Sequence, residues 1–422
     1  MAIMKSSNTE WLGDIPAEWD VAQIGNYYEL RNEKVSDYDF KPLSVTMKGI
    51  VTQLATAAKS DDHSNRKLVK KGDFVINSRS DRRGSCGISP LDGSVSLINT
   101  VMEPRGEMNP QYYNWLFHTE QFADEFYKWG HGIVDDLWTT RWQEMKKILI
   151  VAPSLDEQQA IANHLDETCS KIDEIIAEAK TSIGEYKELK QSAIFETVTK
   201  GLDRNVEMKD SGVEWIGKIP KNWTLYRLKH LLRSPMQYGA NATGSEYDET
   251  MPRYVRITDI DSNGNLKDVG KQSLSWEVAE PYLLENGDLL LARSGGTVGK
   301  AFLYKKSYGT CAFAGYLIRA KANDKVLPEY IHYYTLSKGY EIWKNGIFIK
   351  ATIQNIGADK YANLPIPIPN DIEIQREIVK YLDNKCITLD SLIAEKESLI
   401  NDLEAYKKSL IFEVVTGKRR VV

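Results

Sequence analysis

Residues 10–20 read EWLGDIPAEWD, and residues 214–224 read EWIGKIPKNWT. A Trp-(Leu/Ile)-Gly-x-Ile-Pro-x-x-Trp string is not low complexity, so its return marks an internal duplication. Any fold for this chain must therefore accommodate two copies of one frame. The copies extend well past the opening phrase. KGDFVINSRSDRRGSCGI (71–88) returns as NGDLLLARSGGTVGKAFL (286–303), and DEQQAIANHLDETCSKIDEIIAEAK (156–180) as EIQREIVKYLDNKCITLDSLIAEKE (373–397). KQSAIFETVTKG (190–201) returns as KKSLIFEVVTGK (407–418). From Gln158 to Thr199 the offset is a constant 217 residues; elsewhere it drifts, as loop insertions would make it. The order is block, tail, block, tail, with boundaries at 1–152, 153–205, 206–368 and 369–422.

Each tail has the period of one long helix. Leu165, Cys169, Ile172, Ile176, Ala179, Ile183 and Tyr186 recur at heptad spacing, as do Leu382, Cys386, Leu389, Ile393, Lys396, Ile400 and Leu403. Lys396 interrupts the second seam. Both helices follow a proline-bearing segment, VAPSLDEQ or PIPIPNDIEIQ, and acidic residues at the start suit a helix N-terminus. A helix from Asp156 to Lys200 would run ~65 Å at 1.5 Å per residue. A single apolar stripe of that length needs a partner. Because the two stripes coincide position for position, the expected partner is the other copy, in an antiparallel pair. Two separate coiled coils with outside partners remain the alternative.

The blocks read as mixed and strand-rich. DFVINS, SVSLINTVM, KKILIVA, YVRITDI, DLLLAR and AFLYK are short β-rich runs flanked by turn residues. NPQYYNWLFHTEQFADEFYKWG and LPEYIHYYTLSKGYEIWKNG read as helices ended by glycine, with their Tyr and Trp residues packed in the core. The fold class is α+β: two strand-rich blocks, each followed by a long α-helix, with internal pseudo-two-fold symmetry.

Catalytic patterns fail on inspection. RSGGTVGK (293–300) lacks the first Gly of a phosphate loop and the Ser or Thr after its Lys, since Ser294 and Ala301 stand there. It reads as a glycine-rich turn after a strand. Asp73 and Asp288 sit in Gly-Asp turns, where a structural role is expected. No Ser/His/Asp or Cys/His set stands out, and the six histidines are scattered without metal-ligand spacing. The four cysteines, Cys86, Cys169, Cys311 and Cys386, form no framework and are expected as thiols. No apolar run reaches membrane-spanning length and no signal-peptide core is present, so a cytoplasmic protein is expected.

The formal net charge of −5 is unusual for a chain that binds nucleic acid. The deficit lies in the tails: residues 1–150 carry −3, 151–209 carry −5, 210–366 carry +4 and 367–422 carry −1. Basic clusters stand at matching positions in the blocks, Arg79, Arg82 and Arg83 in one loop and Arg293 with Lys300 in its counterpart. Phosphate recognition and a solvated surface both account for them.

With these stretches together, the whole chain resembles the specificity subunit of a Type I restriction-modification enzyme. MKDSGVEWIGKIPKNW (208–223) resembles that family's entry into a target-recognition domain, and the tails resemble its spacer helices. The resemblance implies two target-recognition domains, each reading half of a split double-stranded DNA site, and no catalytic site on this chain. It implies two modification subunits as partners, binding S-adenosylmethionine and methylating adenine, and restriction subunits using ATP and Mg. The second copy begins its helix with DIEIQRE and lacks the Glu-Gln pair of the first, so that pair is assigned no DNA role. Placement in the paired loops, and in TTRWQ and KATIQN near the end of each block, makes Arg79, Arg82, Arg83, Arg141, Arg293, Lys300, Lys350 and Gln354 the candidate DNA contacts. Leu165, Ile172, Ile176, Ile183, Leu382, Leu389, Ile393 and Ile400 are the candidate seam. A coiled-coil scaffold for proteins, or a specificity subunit that no longer reads DNA, is the alternative. A diverged nuclease or methyltransferase is a further one.

Overall fold

The structure is a computed structural model, and it describes residues 3–56, 63–132, 138–261, 264–295, 297–348 and 354–421. The chain forms two compact units, one of residues 1–180 with 397–422 and one of residues 181–396. Each unit thus holds one block and a stretch of both long helices.

In the first unit, Met4–Ser6 pairs antiparallel with Asp14–Pro16, so the opening phrase closes a hairpin. Asp20–Gln23 pairs antiparallel with Leu149–Ala152, tying the two ends of the block together. The central sheet runs Cys86–Ile88, Phe74–Asn77, Asn99–Pro104, Tyr28–Leu30, all antiparallel. All four residues of Phe74–Asn77 are buried, which is why this strand reads as a continuous apolar run rather than an alternating one. A three-stranded sheet of Gly93–Val95, Arg66–Val69 and Lys34–Val35 lies beside it in the chain order.

The second unit repeats this plan. Met208–Asp210 pairs with Lys218–Pro220, and Trp223–Arg227 with Pro365–Pro369. Its central sheet runs Gln237–Tyr238, Leu317–Ala320, Leu289–Ala292, Ala301–Leu303. A second sheet of Ser245–Glu246, Gln272–Ser273, Arg253–Val255 and Cys311–Phe313 contains one parallel pair, Arg253–Val255 with Cys311–Phe313.

Three sequence expectations change in detail. Each presumed block helix is two: Pro110–Phe117 then Glu120–Lys128, and Pro328–Thr335 then Lys338–Phe348. Thr119 explains the first break, because its hydroxyl accepts from the Phe122 amide and starts a new helix. The run SVSLINTVM is two strands, Gly93–Val95 and Asn99–Pro104, joined by a turn. YVRITDI leaves the sheet after Val255 and becomes a short 3₁₀ turn, held by Asp259 accepting from the Arg256 backbone amide and guanidinium. Of the Tyr and Trp residues in these runs, Tyr112, Tyr113, Tyr330, Tyr333, Tyr334, Tyr340 and Trp343 are buried, as expected, whereas Trp115, Tyr127 and Trp129 are half-buried.

The tails are helices Leu155–Lys200 and Ile372–Val415, 46 and 44 residues long. All eight seam residues are buried: Leu165, Ile172, Ile176, Ile183, Leu382, Leu389, Ile393 and Ile400. Within the first unit, Asp173 pairs with Lys407 at 2.6 Å and Lys180 with Glu404 at 3.9 Å. The numbers rise on one helix as they fall on the other, so the two run antiparallel there. In the second unit Lys190 pairs with Asp390 at 2.7 Å. Asp390 and Lys407 are the repeat counterparts of Asp173 and Lys190, so one ion pair is made twice. Cys169 and Cys386 are buried free thiols, each beside its own copy of that pair. Burial pushes the Cys169 thiol up to about 11.

The duplicated phrase holds a helix end. In the first unit Gly417, just past the second long helix at φ +70°, lies so close to Pro16 and Trp19 that a Cβ there would fall 2.4 Å from the Pro16 ring. In the second, Gly201 ends the first long helix at φ +79° against Trp223. Tyr112 donates its hydroxyl proton to the Val415 carbonyl at 2.7 Å, and its counterpart Tyr330 donates to the Val198 carbonyl at 2.9 Å. These oxygens belong to last-turn residues, which lack helical partners of their own. At the helix starts, Gln158 accepts from the Asn109 amide at 2.8 Å and donates to the Pro153 carbonyl at 2.8 Å. Gln375 accepts from the Leu327 amide at 2.9 Å and donates to the Pro369 carbonyl at 3.0 Å. The Glu-Gln pair is thus half retained: the glutamine is a buried strut in both copies, and only Glu157, which accepts from the Trp19 indole, is replaced by Ile374.

Candidate nucleic-acid interface

The glycine-rich loops leave the same edge of each central sheet. In the first unit, Ser80–Arg82 form a 3₁₀ turn after Phe74–Asn77. Arg79 is fixed by its backbone: its amide donates to the Asn77 side chain at 3.0 Å, and its carbonyl accepts from the Tyr127 hydroxyl at 2.9 Å. Arg79 also forms a β-bridge with Thr139, and the Thr140 amide donates to the Ser78 carbonyl at 3.0 Å. The loop and the TTRWQ segment, far apart in sequence, are therefore sewn together. Arg141 is exposed at the following helix start. Arg82 and Arg83 are exposed; Arg82 lies 3.6 Å from Asp81, and Arg83 is paired with Asp124.

The second unit makes the same junction. Ser294 bridges Asn355, and the Ile356 amide donates to the Arg293 carbonyl at 2.9 Å. The Arg293 guanidinium lies over the Tyr238 ring at 5.2 Å, a cation–π contact. Tyr238 in turn accepts from the Ala358 amide at 3.1 Å, so the ring under Arg293 is held in place. Lys300 and Gln354 are exposed, and Lys350 lies outside the described residues. Gly295 and Gly299 take φ of +84° and +87°, a conformation L side chains rarely adopt, which is why this loop is glycine-rich without being a phosphate loop.

The Gly-Asp turns are structural. Asp73 accepts from the Lys70 amide and from Arg31 at 2.7 Å, which raises the guanidinium pKa further. Asp288 accepts from the Glu285 amide at 2.9 Å and lies 3.6 Å from Arg319; burial raises its carboxyl pKa. Among the described residues no group of three His, Cys, Asp or Glu is placed to hold a metal ion, and no helix is long and apolar enough to cross a membrane. Tyr238, the ring beneath Arg293, stands outside the residues expected from the sequence, its signal obscured by the many core aromatics.

The comparisons agree with this architecture. The family model described as the Type I restriction modification DNA specificity domain matches residues 220–405. The chain is 23% identical over 447 residues to the Type I restriction enzyme MjaVIII specificity subunit of Methanocaldococcus jannaschii, covering 96% of this chain and 94% of that one. It is 24% identical over 208 residues to the Type I restriction enzyme StySPI specificity subunit of Salmonella potsdam, covering 48% and 44%. Its fold is similar to a chain from a structural study of assembly and conformational transition in the type I R-M system, with TM-score 0.73 at 16% identity over 96% and 99% of the two chains. It is also similar to the crystal structure of the HsdS subunit from Thermoanaerobacter tengcongensis, with TM-score 0.53 at 16% identity over 96% and 98%. Part of the chain thus matches the Type I restriction modification DNA specificity domain, and nearly its whole length is similar in sequence to a Type I restriction enzyme specificity subunit and in fold to solved type I R-M chains.

Proposed function

We propose that this chain is the sequence reader of a Type I restriction-modification complex. Each block reads one half of a bipartite double-stranded DNA site, and the frame holds two modification subunits together with restriction subunits in the cytoplasm. S-adenosylmethionine, ATP and Mg act on those partners, and this chain contributes recognition alone. One observation carries the reading. The frame contacts recur pair for pair, Asp173–Lys407 with Lys190–Asp390 and Tyr112–Val415 with Tyr330–Val198, whereas the loops mounted on that frame differ at matched positions. Ser78 stands where Arg293 stands, Arg79 where Ser294 stands, and Ile98 where Tyr316 stands. A repeated frame suits two like partner subunits, and unlike loops suit two unlike half-sites. Arg79, Arg82, Arg83 and Arg141, and Arg293, Lys300, Lys350 and Gln354, approach the DNA, with guanidinium groups suited to guanine edges or phosphates.

The test is adenine-methylation mapping in cells with and without the gene. One bipartite motif should appear only with the gene. A methylome unchanged by its deletion, in cells that express the partner subunits, would refute the reading and favour the scaffold alternative.

A further inference from the structure

Resting on the DNA-reading function proposed above, we infer that two apolar turn tips, Leu97–Ile98 in the first block and Tyr316 in the second, are specificity-determining contacts to thymine methyl groups. The two turns are the same turn. The Asn99 amide donates to the Ser96 carbonyl at 3.1 Å, and the Leu317 amide to the Ala314 carbonyl at 2.8 Å. Each turn is then tied to the loop of candidate contacts: the Ser78 amide donates to the Ile98 carbonyl at 3.2 Å, and the Arg293 amide to the Tyr316 carbonyl at 2.9 Å. The tips are thus held by backbone bonds on two sides.

What these rigid turns present is contrary to turn chemistry. Tight turns favour Gly, Pro, Asn, Asp and Ser, each for a backbone reason, and they face water. Here Leu97, Ile98 and Tyr316 are 42%, 36% and 64% exposed. Ile98 and Tyr316 stand at the same place in the two copies, each exposed and each bonded through its carbonyl to the loop that carries the candidate DNA contacts, so an apolar group is offered at the same point of both proposed readers. The neighbours select the ligand. Arg79 adjoins the first tip through Ser78, and Arg293, stacked on Tyr238, adjoins the second. An apolar tip beside an arginine-bearing loop complements a groove floor that carries methyl groups and is flanked by phosphates. In the major groove the thymine 5-methyl is the apolar feature available, and its position distinguishes A·T from T·A. The differing tips, branched aliphatic in one block and a phenol ring in the other, would select different positions in the two half-sites.

The test uses the full chain assembled with its modification subunits, and duplexes carrying its mapped motif with each thymine replaced singly by deoxyuridine, which lacks only the methyl group. At one thymine of the second half-site, wild type should bind the deoxyuridine duplex about threefold to tenfold more weakly, in line with one buried methyl group. Tyr316→Ala should bind the thymine duplex equally weakly and no longer discriminate, with an unchanged salt slope, while Tyr316→Phe keeps the discrimination. Leu97→Ser with Ile98→Ser should do the same for the first half-site only. Wild type that selects the motif yet ignores every deoxyuridine replacement overturns the inference and leaves DNA reading intact. A complex that selects no motif removes the reading itself. Loss of modification subunits from the Tyr316→Ala complex on size exclusion would reassign the turn to a protein interface and overturn the inference.

Discussion

The crosswise bonds that end the long helices can be broken singly without changing shape. Tyr112→Phe and Tyr330→Phe each remove one hydroxyl and keep the ring, so no cavity opens and the packing around these buried side chains is retained. Burial raises both phenol pKa values well above their ordinary range, so the hydroxyls remain donors at any working pH. The loss is then the cost of a buried carbonyl left without a donor, which already contains the lost bond. A neutral bond contributes about 1 kcal/mol net, and an orphaned buried acceptor costs about 1–3 kcal/mol. Tyr112 donates to the Val415 carbonyl alone, whereas the single Tyr330 hydroxyl proton is shared between the carbonyls of Val198 and Pro367, both at 2.9 Å, and its removal leaves both without a donor. Tyr112→Phe should therefore destabilise by about 1–2 kcal/mol and Tyr330→Phe by about 2–3 kcal/mol. At about 2–4 °C per kcal/mol for a unit of this size, the melting shifts should be about 2–8 °C and 4–12 °C. Calorimetry of the purified chain, with the two-unit melt resolved, checks both values and their order. Shifts below 1 °C for both variants would mean that the hydroxyls do not hold the helix ends, and equal shifts would mean that the second acceptor of Tyr330 contributes nothing.

Other predictions follow from the same contacts. His332 has a buried, unpartnered Nε2, and burial lowers its pKa to about 4 from an ordinary 6.5. The unfolded chain therefore takes up the proton first, and the second unit should lose stability as pH falls from about 6.5 to 4, by up to about 3 kcal/mol. His332→Asn, the residue at the matching Asn114, should flatten that pH profile in a melting series. Alanine at Arg79, Arg82 and Arg83 together should weaken binding of the assembled complex and flatten its salt slope; affinity and slope both unchanged would take that loop off the DNA. Cys169 and Cys386 should react slowly with a thiol reagent at pH 8 until the chain is unfolded, and fast labelling in the native protein would contradict their burial. Inserting seven residues after Ala179 keeps the seam in phase and lengthens that helix by ~10 Å, so the unread spacer of the methylated motif should grow by ~3 base pairs or activity should fall. An unchanged spacer at full activity would mean that the helices do not set it.

The duplication, the two long helices and their antiparallel course were legible from residue order alone. Heptad spacing is a local property of the chain, and two copies in identical phase leave little freedom in what covers the stripe. The Gly-Asp turns and the core role of the block aromatics were legible for the same reason, since turn chemistry and apolar clustering act over a few residues. What tertiary structure decided was everything carried by long-range partners. The phrase around Trp19 and Trp223 announces a repeat, yet only the fold shows it seating the end of the other copy's helix, against Gly417 and Gly201. Gln375 looks like a departure from the first copy until its bonds prove it the counterpart of Gln158. Leu97 and Ile98 have the composition of a strand, but the Asn99–Ser96 bond and the Ser78 amide turn them outward. Short-range patterns determine which elements form, whereas hydrogen bonds across hundreds of residues determine which side chains those elements present to solvent.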